Sequence, residues 1–242
     1  MSLQNEIKET NAAIFTIQET HYAEKGKIKV EGYEIFESIR KKEKGGSVIG
    51  VHNSLNPILI KEYKDDFELI CVEVAIANKQ IRIIIGYGPQ ESWPESSRLS
   101  FFHALEEEVV KAMNDGKQVI IEMDSNSKLG PEIIKGDPHR QSENGKLLWE
   151  IICRNELIVV NGMLEKCKGL VTRRRETVNG IEQSIIDHVL ISNGLKDDIE
   201  LIDIDECGHR AITNLGNKNL LGNRSDHNVL VTTFKLKWQK KT

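Results

Sequence analysis

Several short apolar segments of this sequence end in, or lead into, polar side chains that could take part in chemistry. A rigid strand can aim a side chain at its end into a cleft, which makes such positions candidates for one shared site. Their carboxylate, amide, phenol and imidazole groups are types that bind metal ions or transfer protons. A lone strand-end aspartate or asparagine is more typical of a turn, so the ordered set is the informative feature. In chain order, the five segments are Gln18-Glu19-Thr20, Gly86-Tyr87-Gly88-Pro89, Met123-Asp124-Ser125-Asn126, Ile186-Asp187-His188 and Ser225-Asp226-His227-Asn228.

Other chemistries fit the same letters less well. Ser225, Asp226 and His227 are not a hydrolase triad, because triad members must meet in space and no Gly-x-Ser-x-Gly elbow exists. Gly45-Gly46-Ser47 is predicted to be a turn, since no Gly-Lys-Ser/Thr follows it as in a phosphate-binding loop. Asp187 and His188 are strand neighbours that point to opposite faces, so His188 is expected to pack away from the cleft.

The elements that must position these residues are many short strands and three helices. Apolar residues at three- and four-residue steps predict helices, and short Val- and Ile-rich runs predict strands. The predicted helices are Gln4–Thr10, Arg98–Met113 and Glu143–Arg154. The predicted strands are Ala13–Gln18, Tyr33–Ile39, Gly46–His52, Pro57–Lys61, Phe67–Ala77, Lys79–Tyr87, Gln118–Met123, Leu157–Val160, Gly169–Arg175, Ser184–Ser192, Ile199–Ile204 and Asn228–Leu236.

Continuous apolar runs such as Ile120-Ile121 and Ile185-Ile186 indicate sheets that are covered on both faces. We therefore predict an α/β fold of four layers, in which two mixed sheets pack together with helices outside. No repeat, linker or low-complexity stretch divides the 242 residues, so a single domain is expected.

Composition narrows the setting. No apolar run approaches the roughly 20 residues that span a bilayer, and the sequence predicts a nuclear or cytoplasmic protein. The four scattered cysteines are interpreted as free thiols, with a zinc site at Cys207 and His209 as the alternative. A formal charge of −4 disfavours a non-specific nucleic-acid coat but allows local basic surfaces. The candidate basic clusters are Arg40–Lys44, Arg173–Arg175 and Lys235–Lys241.

Taken together, the motifs resemble those of the endonuclease/exonuclease/phosphatase superfamily, and most closely the apurinic-endonuclease-like domain of non-LTR retrotransposons. The resemblance runs from Ile14 to Phe234 and implies a DNase I-like fold. It also implies a metal-dependent enzyme that nicks DNA and leaves a 3′-hydroxyl, which primes reverse transcription. The motifs that carry it are Asp124-Ser125-Asn126, Ile186-Asp187, Ser225-Asp226-His227, and Gly136-Asp137-Pro138-His139 ahead of Asn144-Gly145.

The resemblance implies a role for each candidate around the metal and the attacking water. Glu19 matches the metal-binding glutamate and Asp226 matches the carboxylate beside the metal. Mg²⁺ is the expected ion and Mn²⁺ is the alternative. Asp124 matches the aspartate that orients or deprotonates the attacking water, and Asn126 matches the amide that helps to hold it.

Other matches concern the phosphate and the DNA. His227 matches the histidine that contacts the scissile phosphate, Asp187 matches its carboxylate partner, and Tyr87 matches a phenol near the phosphate. Thr172 matches a threonine on a hairpin strand that flanks the DNA. The segment Gly169–Gly180 is predicted to probe the DNA groove through its basic residues, which are Arg173, Arg174 and Arg175.

One departure from the family lies at the start of the sequence. Relatives begin with an asparagine-bearing strand, whereas Met1-Ser2-Leu3 here leads almost directly into the first helix. Without that strand, the closing strand near Val229–Phe234 is expected to expose unpaired backbone groups. The expected partners are DNA, a fused reverse transcriptase and a segment that covers this edge, with a second copy of the chain as a candidate. The alternatives are a catalytically impaired DNA-binding remnant and a phosphoesterase acting on a small phosphorylated substrate.

Overall fold

The computed structural model describes residues 3–22, 24–39, 45–63, 67–210 and 225–237. The α-helices among them are α1 (Leu3–Thr10), α2 (Glu95–Asn114) and α3 (Glu143–Arg154). The strands are β1 (Ile14–Ile17), β2 (Tyr33–Ser38), β3 (Ser47–His52), β4 (Ile58–Tyr63), β5 (Glu68–Ile76), β6 (Lys79–Tyr87), β7 (Gln118–Asp124), β8 (Leu157–Val159), β9 (Cys167–Lys168), β10 (Arg173–Thr177), β11 (Gly180–Ser184), β12 (Asp187–Ser192), β13 (Ile199–Ile204) and β14 (Leu230–Phe234).

Local chemistry sets the ends of the two longer helices. The side chain of Ser142 accepts a hydrogen bond from the Gly145 amide and so caps the start of α3. Helix α2 starts after Pro94, three residues earlier than the apolar pattern predicts, and ends before Gly116, whose φ of 71° suits a helix stop. All three predicted helices are therefore present.

The central sheet has six strands in the order β4-β5-β6-β7-β12-β8. Strands β6 and β7 are parallel, and the other neighbours are antiparallel. One face of the sheet packs against α2 and α3 through residues such as Phe101, Leu105 and Leu148. The other face packs against residues of β3 and β13, among them Ile49, Val51 and Ile202. Both faces of this sheet are thus covered, as its continuous apolar strands predict.

The second sheet layer is divided into two three-stranded sheets, β1-β3-β2 and β14-β13-β9. Helix α1 lies outside the first of them, where Ile7 shares a small core with Phe15 and Val48. The predicted four-layer α/β sandwich is confirmed, with the difference that its second sheet is in two pieces. Within the described residues, β14 pairs with β13 alone.

Several predicted strands are shorter at their ends than expected, and two of them are displaced or interrupted. Residues 169–172 are not a strand, because Gly169 has a φ of 83° and the amides of Leu170 and Val171 donate to the Glu206 side chain. The predicted strand Ser184–Ser192 breaks ahead of Asp187, and β11 instead forms a hairpin with β10. Among the described helices, none is both long and apolar enough to cross a membrane.

Candidate functional site

Four side chains lie in one row across the central sheet. Tyr87 at the end of β6 is in register with Asp124 at the end of β7, and Asp124 is in register with Asp187 at the start of β12. Glu68 at the start of β5 is in register with Tyr87. Because paired residues point to the same face of a sheet, the row faces the divided second layer. Sheet register therefore assembles most of the site.

His227 joins this row from the segment that precedes β14. Its Nδ1 lies 2.9 Å and 3.0 Å from the two carboxylate oxygens of Asp187, so Nδ1–H donates to that carboxylate. Its Nε2 lies 3.8 Å from Oδ2 of Asp124. Burial lowers the pKa of His227, but the charge and hydrogen bond of Asp187, with the charge of Asp124, outweigh it and raise the pKa to about 9. At neutral pH the ring is therefore an imidazolium.

Asp124 is a buried carboxylate, with 4% of its surface exposed. Burial raises its pKa, and the neighbouring charge of Asp187 raises it further. Its Oδ1 accepts the amide N–H of Asn126 at 3.0 Å, and Asn126 has a left-handed φ of 46°. The side-chain amide of Asn126 donates to the Gly88 carbonyl at 2.9 Å. This turn fixes Asp124 and Asn126 relative to each other.

Glu19 reaches the row from β1. The hydroxyl of Tyr87 donates a short hydrogen bond to Oε1 of Glu19. Burial raises the pKa of the Tyr87 phenol, and the Glu19 carboxylate raises it further, so Tyr87 stays protonated. Glu19 also has a left-handed φ of 53°, which is unusual for a residue with a side chain and is typical of functional sites.

Asp226 and Arg173 form a bidentate ion pair beside the site. Oδ2 of Asp226 lies 2.9 Å from Nε and 2.7 Å from Nη2 of Arg173. Oδ1 of Asp226 lies 4.0 Å from Nε2 of His227. The predicted metal carboxylate and the first predicted DNA-binding arginine are therefore engaged with each other.

Thr172 lies beneath the surface that was expected to meet DNA. The residue is fully buried, and its hydroxyl accepts the amide N–H groups of Ile186 and Asp187 at 3.0 Å and 3.1 Å. Its carbonyl accepts the amide of Asn228 at 2.7 Å. Thr172 therefore supports the backbone of Asp187 and the segment that carries His227.

The β10–β11 hairpin projects next to the site and carries the other predicted DNA-binding residues. Arg174 and Arg175 are exposed, and Arg173 forms an isolated backbone bridge with His227. At the hairpin tip, Val178 is fully exposed and Ile181 is 52% exposed. The basic cluster Arg40–Lys44 lies outside the described residues, as does the part of Lys235–Lys241 after Lys237.

The donor set fits a divalent cation. Carboxylate oxygens of Asp124 and Asp187 lie within 4.8 Å of each other and of a ring nitrogen of His227. The imidazolium of His227 has no free lone pair, so the carboxylates are the donors for a cation. Carboxylate oxygens are the ligands that Mg²⁺ and Mn²⁺ take. Burial is the main cause of the raised pKa of Asp124, and the charge of Asp187 adds a repulsion that a bound cation would relieve. This tightest group differs from the predicted pair Glu19 and Asp226, which lie at its sides. Cys207 and His209 form no comparable group with other described residues.

Two buried residues were not predicted as part of the site: Glu68, which lies in the row, and His188, which follows Asp187 in β12. Glu68 opens an apolar strand instead of closing one, and antiparallel pairing of β5 with β6 brings that start to the edge where β6 ends. The predicted strands Phe67–Ala77 and Lys79–Tyr87 are separated by Asn78 alone, and this hairpin-like spacing was the available signal. His188 is buried as expected, and its Nε2 lies 2.9 Å from the Ser127 carbonyl, so it braces the loop after Asp124.

Solved structures share this arrangement of elements. No protein-family model matches the chain, and no curated protein matches it. The endonuclease domain of TRAS1, a telomere-specific non-LTR retrotransposon, aligns with a TM-score of 0.68 and 19% identity, covering 97% of this chain and 91% of that one. The Xenopus laevis APE2 catalytic domain aligns with a TM-score of 0.72 and 15% identity, over 98% of this chain and 88% of that one. The AP endonuclease LMAP from Leishmania major aligns with a TM-score of 0.71 and 14% identity, over 96% of this chain and 81% of that one.

These likenesses define the fold. The chain has the DNase I-like α/β fold that these solved structures share. Within that architecture it is similar over nearly its whole length both to a retrotransposon endonuclease domain and to AP endonucleases.

Proposed function

We propose that the chain is a divalent-metal-dependent phosphodiester hydrolase that nicks DNA and leaves a 3′-hydroxyl. The observation that carries the proposal is the Asp187–His227 ion pair at 2.9 Å beside the buried carboxylate of Asp124. The imidazolium of His227 can donate to phosphate oxygens, and the neighbouring carboxylate of Asp124 can take a proton from water.

In this proposal each side chain has a defined task. Asp124, held by the Asn126 amide, orients a water and accepts its proton. Asp187 fixes the orientation of His227, whose free Nε2–H donates to an oxygen of the scissile phosphate. Tyr87 holds Glu19 at the edge of the carboxylate group. When bound by these carboxylates, Mg²⁺ or Mn²⁺ would supply positive charge for the phosphate in the transition state.

The hairpin supports DNA as the substrate. Arg174 and Arg175 offer exposed positive charge next to His227, and positive charge beside a phosphate site favours a polyanion. Val178 at the tip is an apolar side chain of the kind that can insert at a base step. The retrotransposon setting rests on the motifs and on the likeness to the TRAS1 domain. It implies a reverse transcriptase in the same protein. Separately, a further segment or a second copy of the chain is proposed to pair with the edge of β14 that no described strand covers.

A plasmid assay tests the proposal. Supercoiled plasmid should become open-circular with Mg²⁺, should stay intact with a chelator, and should then be extended by a DNA polymerase that needs a 3′-hydroxyl. Glu19→Ala and His227→Ala should abolish nicking, while Glu143→Ala, at an exposed helix residue paired with Lys146, should not change it. Nicking that survives both site substitutions refutes the assignment. DNA binding without any nicking would support the alternative of an impaired DNA-binding protein.

A further inference from the structure

Glu68 is the fourth member of the row, and none of its surface is exposed. An ionised carboxylate removed from water is costly unless donors are built around it. Such donors are present. Its Oε2 accepts the Gly46 amide N–H at 2.8 Å and the Ser47 hydroxyl at 2.9 Å. Glu68 therefore binds the turn that leads into β3.

That turn is in direct contact with the residues after Glu19. The amide of Thr20 donates to the Gly46 carbonyl at 3.0 Å, and the amide of His21 donates to the Gly45 carbonyl at 2.8 Å. The fit is close, because a Cβ added to Gly46 would lie 2.3 Å from Oγ1 of Thr20. The position of Gly46 thus fixes the backbone that follows Glu19.

Glu19 needs such a restraint. Its φ of 53° lies in the left-handed region, which is unfavourable for a residue with a side chain and persists where the surroundings over-determine it. The Tyr87 hydroxyl holds the Glu19 carboxylate from one side. The Gly45–Gly46 turn holds the backbone of the next two residues from the other. Tyr87 supplies the first restraint, and Glu68 supplies the second because it binds the turn. The two residues are neighbours in the row.

We propose that Glu68 is a positioning residue. By binding the Gly46 amide and the Ser47 hydroxyl, it holds Glu19 in the orientation that the divalent cation requires. The inference rests on the proposed function, because it takes Glu19 as a ligand of that cation. The hydrogen bonds to Gly46 and Ser47 do the positioning, so an uncharged side chain of the same shape, with one oxygen that can accept both bonds, should replace Glu68.

Hydrogen exchange in the metal-free protein tests the restraint without reference to activity. In Glu68→Leu, exchange at the Thr20 and His21 amides should speed up at least about tenfold, as the loss of the two hydrogen bonds to Gly46 and Ser47 allows. Exchange in β7 should stay as in the parent. The matched control is Glu68→Gln, which should stay within about threefold of the parent. Unchanged exchange in Glu68→Leu overturns the proposal, and so does a Gln variant that behaves like Leu, since charge would then be the cause.

A second variant covers the case in which Glu68→Leu does not fold. Gly46→Ala should displace Thr20 with Glu68 intact, and should speed up the same two amides. Unchanged exchange in Gly46→Ala also contradicts the proposal.

Calorimetric titration with MnCl₂ alone tests the link to the cation. Mn²⁺ should bind Glu68→Leu at least about tenfold more weakly than the parent, and Glu68→Gln within about threefold. If Glu68→Leu exchanges faster but binds Mn²⁺ as tightly as the parent, the proposal that Glu68 orients Glu19 for the cation is overturned. A parent protein that binds no Mn²⁺ instead removes the proposed function, and the exchange result then decides whether Glu68 holds the turn.

Discussion

Two clusters of charged side chains lie on opposite faces of the central sheet and differ in their balance of charge. At the candidate site, Asp124, Asp187 and Asp226 surround the single imidazolium of His227. On the helix-covered face, buried Arg82 lies 2.5 Å from Glu73 and 3.3 Å from Glu108, and lysines complete the cluster. These lysines, defined by their contacts with the two glutamates, are Lys61, Lys111 and Lys117.

The pKa shifts of the two clusters have opposite signs. Burial alone would raise the pKa of Glu73, but hydrogen bonds from Lys117 and Arg82 outweigh it and the pKa is lowered. The pKa of Glu108 is lowered in the same way, chiefly by Lys111 and Tyr63. At the site, the pKa of Asp124 is raised. The helix-side cluster is thus electrostatically complete and structural, whereas the site has an excess of carboxylate that a cation would complete.

The largest expected effect is a loss of nicking activity in variants of the candidate site. Asp124→Asn and His227→Ala should each reduce nicking by about 10²–10⁴-fold, because each removes a proposed proton-transfer or phosphate-binding group. Both variants should keep a cooperative unfolding transition, since neither change leaves a cavity in the apolar cores. Plasmid nicking and thermal unfolding measure the two quantities on the same samples. A variant that loses its cooperative unfolding transition together with its nicking activity would contradict the view that these site residues serve activity and not stability.

The reverse result is expected on the helix-covered face. Glu108→Gln leaves the buried guanidinium of Arg82 less compensated and should lower the free energy of unfolding by about 2–4 kcal/mol. Nicking at 25 °C should be unchanged as long as the protein stays folded. Denaturant unfolding followed by the plasmid assay checks both statements. A nicking defect larger than twofold in the folded variant would connect the two clusters.

A divalent cation should stabilise one cluster alone. Saturating Mg²⁺ should raise the free energy of unfolding of the parent by about 1–3 kcal/mol, because the cation binds the folded state. Asp124→Asn should lose most of that gain, and Glu108→Gln should keep it. Thermal unfolding with and without Mg²⁺ measures the difference, with NaCl at matched ionic strength as the control. An equal gain in all three proteins would indicate general screening instead of a site.

A smaller effect should follow pH. Because the folded-state pKa of Glu108 lies below its unfolded value of 4.5, its contribution to stability is present above pH 4.5 and is lost as pH falls through the folded pKa. The stability difference between the parent and Glu108→Gln should therefore shrink as pH falls from 7 to below 4.5, and should keep shrinking until the folded-state pKa is passed. Urea unfolding at a series of pH values gives this difference. A constant difference would show that the carboxylate charge is not what stabilises Arg82.

Much of the fold follows from periodicity alone. The helices and most strands are predicted because each has a burial pattern that its own residues reveal, as the continuous Ile120-Ile121 run does. The hairpin was less visible, since β10 carries Arg173, Arg174 and Arg175 and has no apolar alternation. The segment before it, around Leu170, is apolar but is held by the Glu206 side chain, which a local pattern cannot reveal.

The site divides in the same way. Asp124, Asp187 and His227 are predictable as polar residues next to apolar strands, and the structure brings them together. Their order across the sheet required the register, which no single segment contains. The Asp226–Arg173 pair and the buried support from Thr172 depend on contacts between distant segments, which the sequence does not reveal. The run of three arginines therefore suggested three free positive charges, whereas Arg173 is paired with Asp226.

The row from Glu68 through Tyr87 and Asp124 to Asp187 makes the function sensitive to length changes as well as to side chains. One residue inserted into β12 would exchange the two faces of that strand, moving Val189 and Ile191 out of their core and Asp187 away from Asp124. Folding and chemistry would then be lost together. In a library of random variants, surviving nicking would therefore report the alignment of four strands, and insertions should be recovered in the hairpin tip but not in the row.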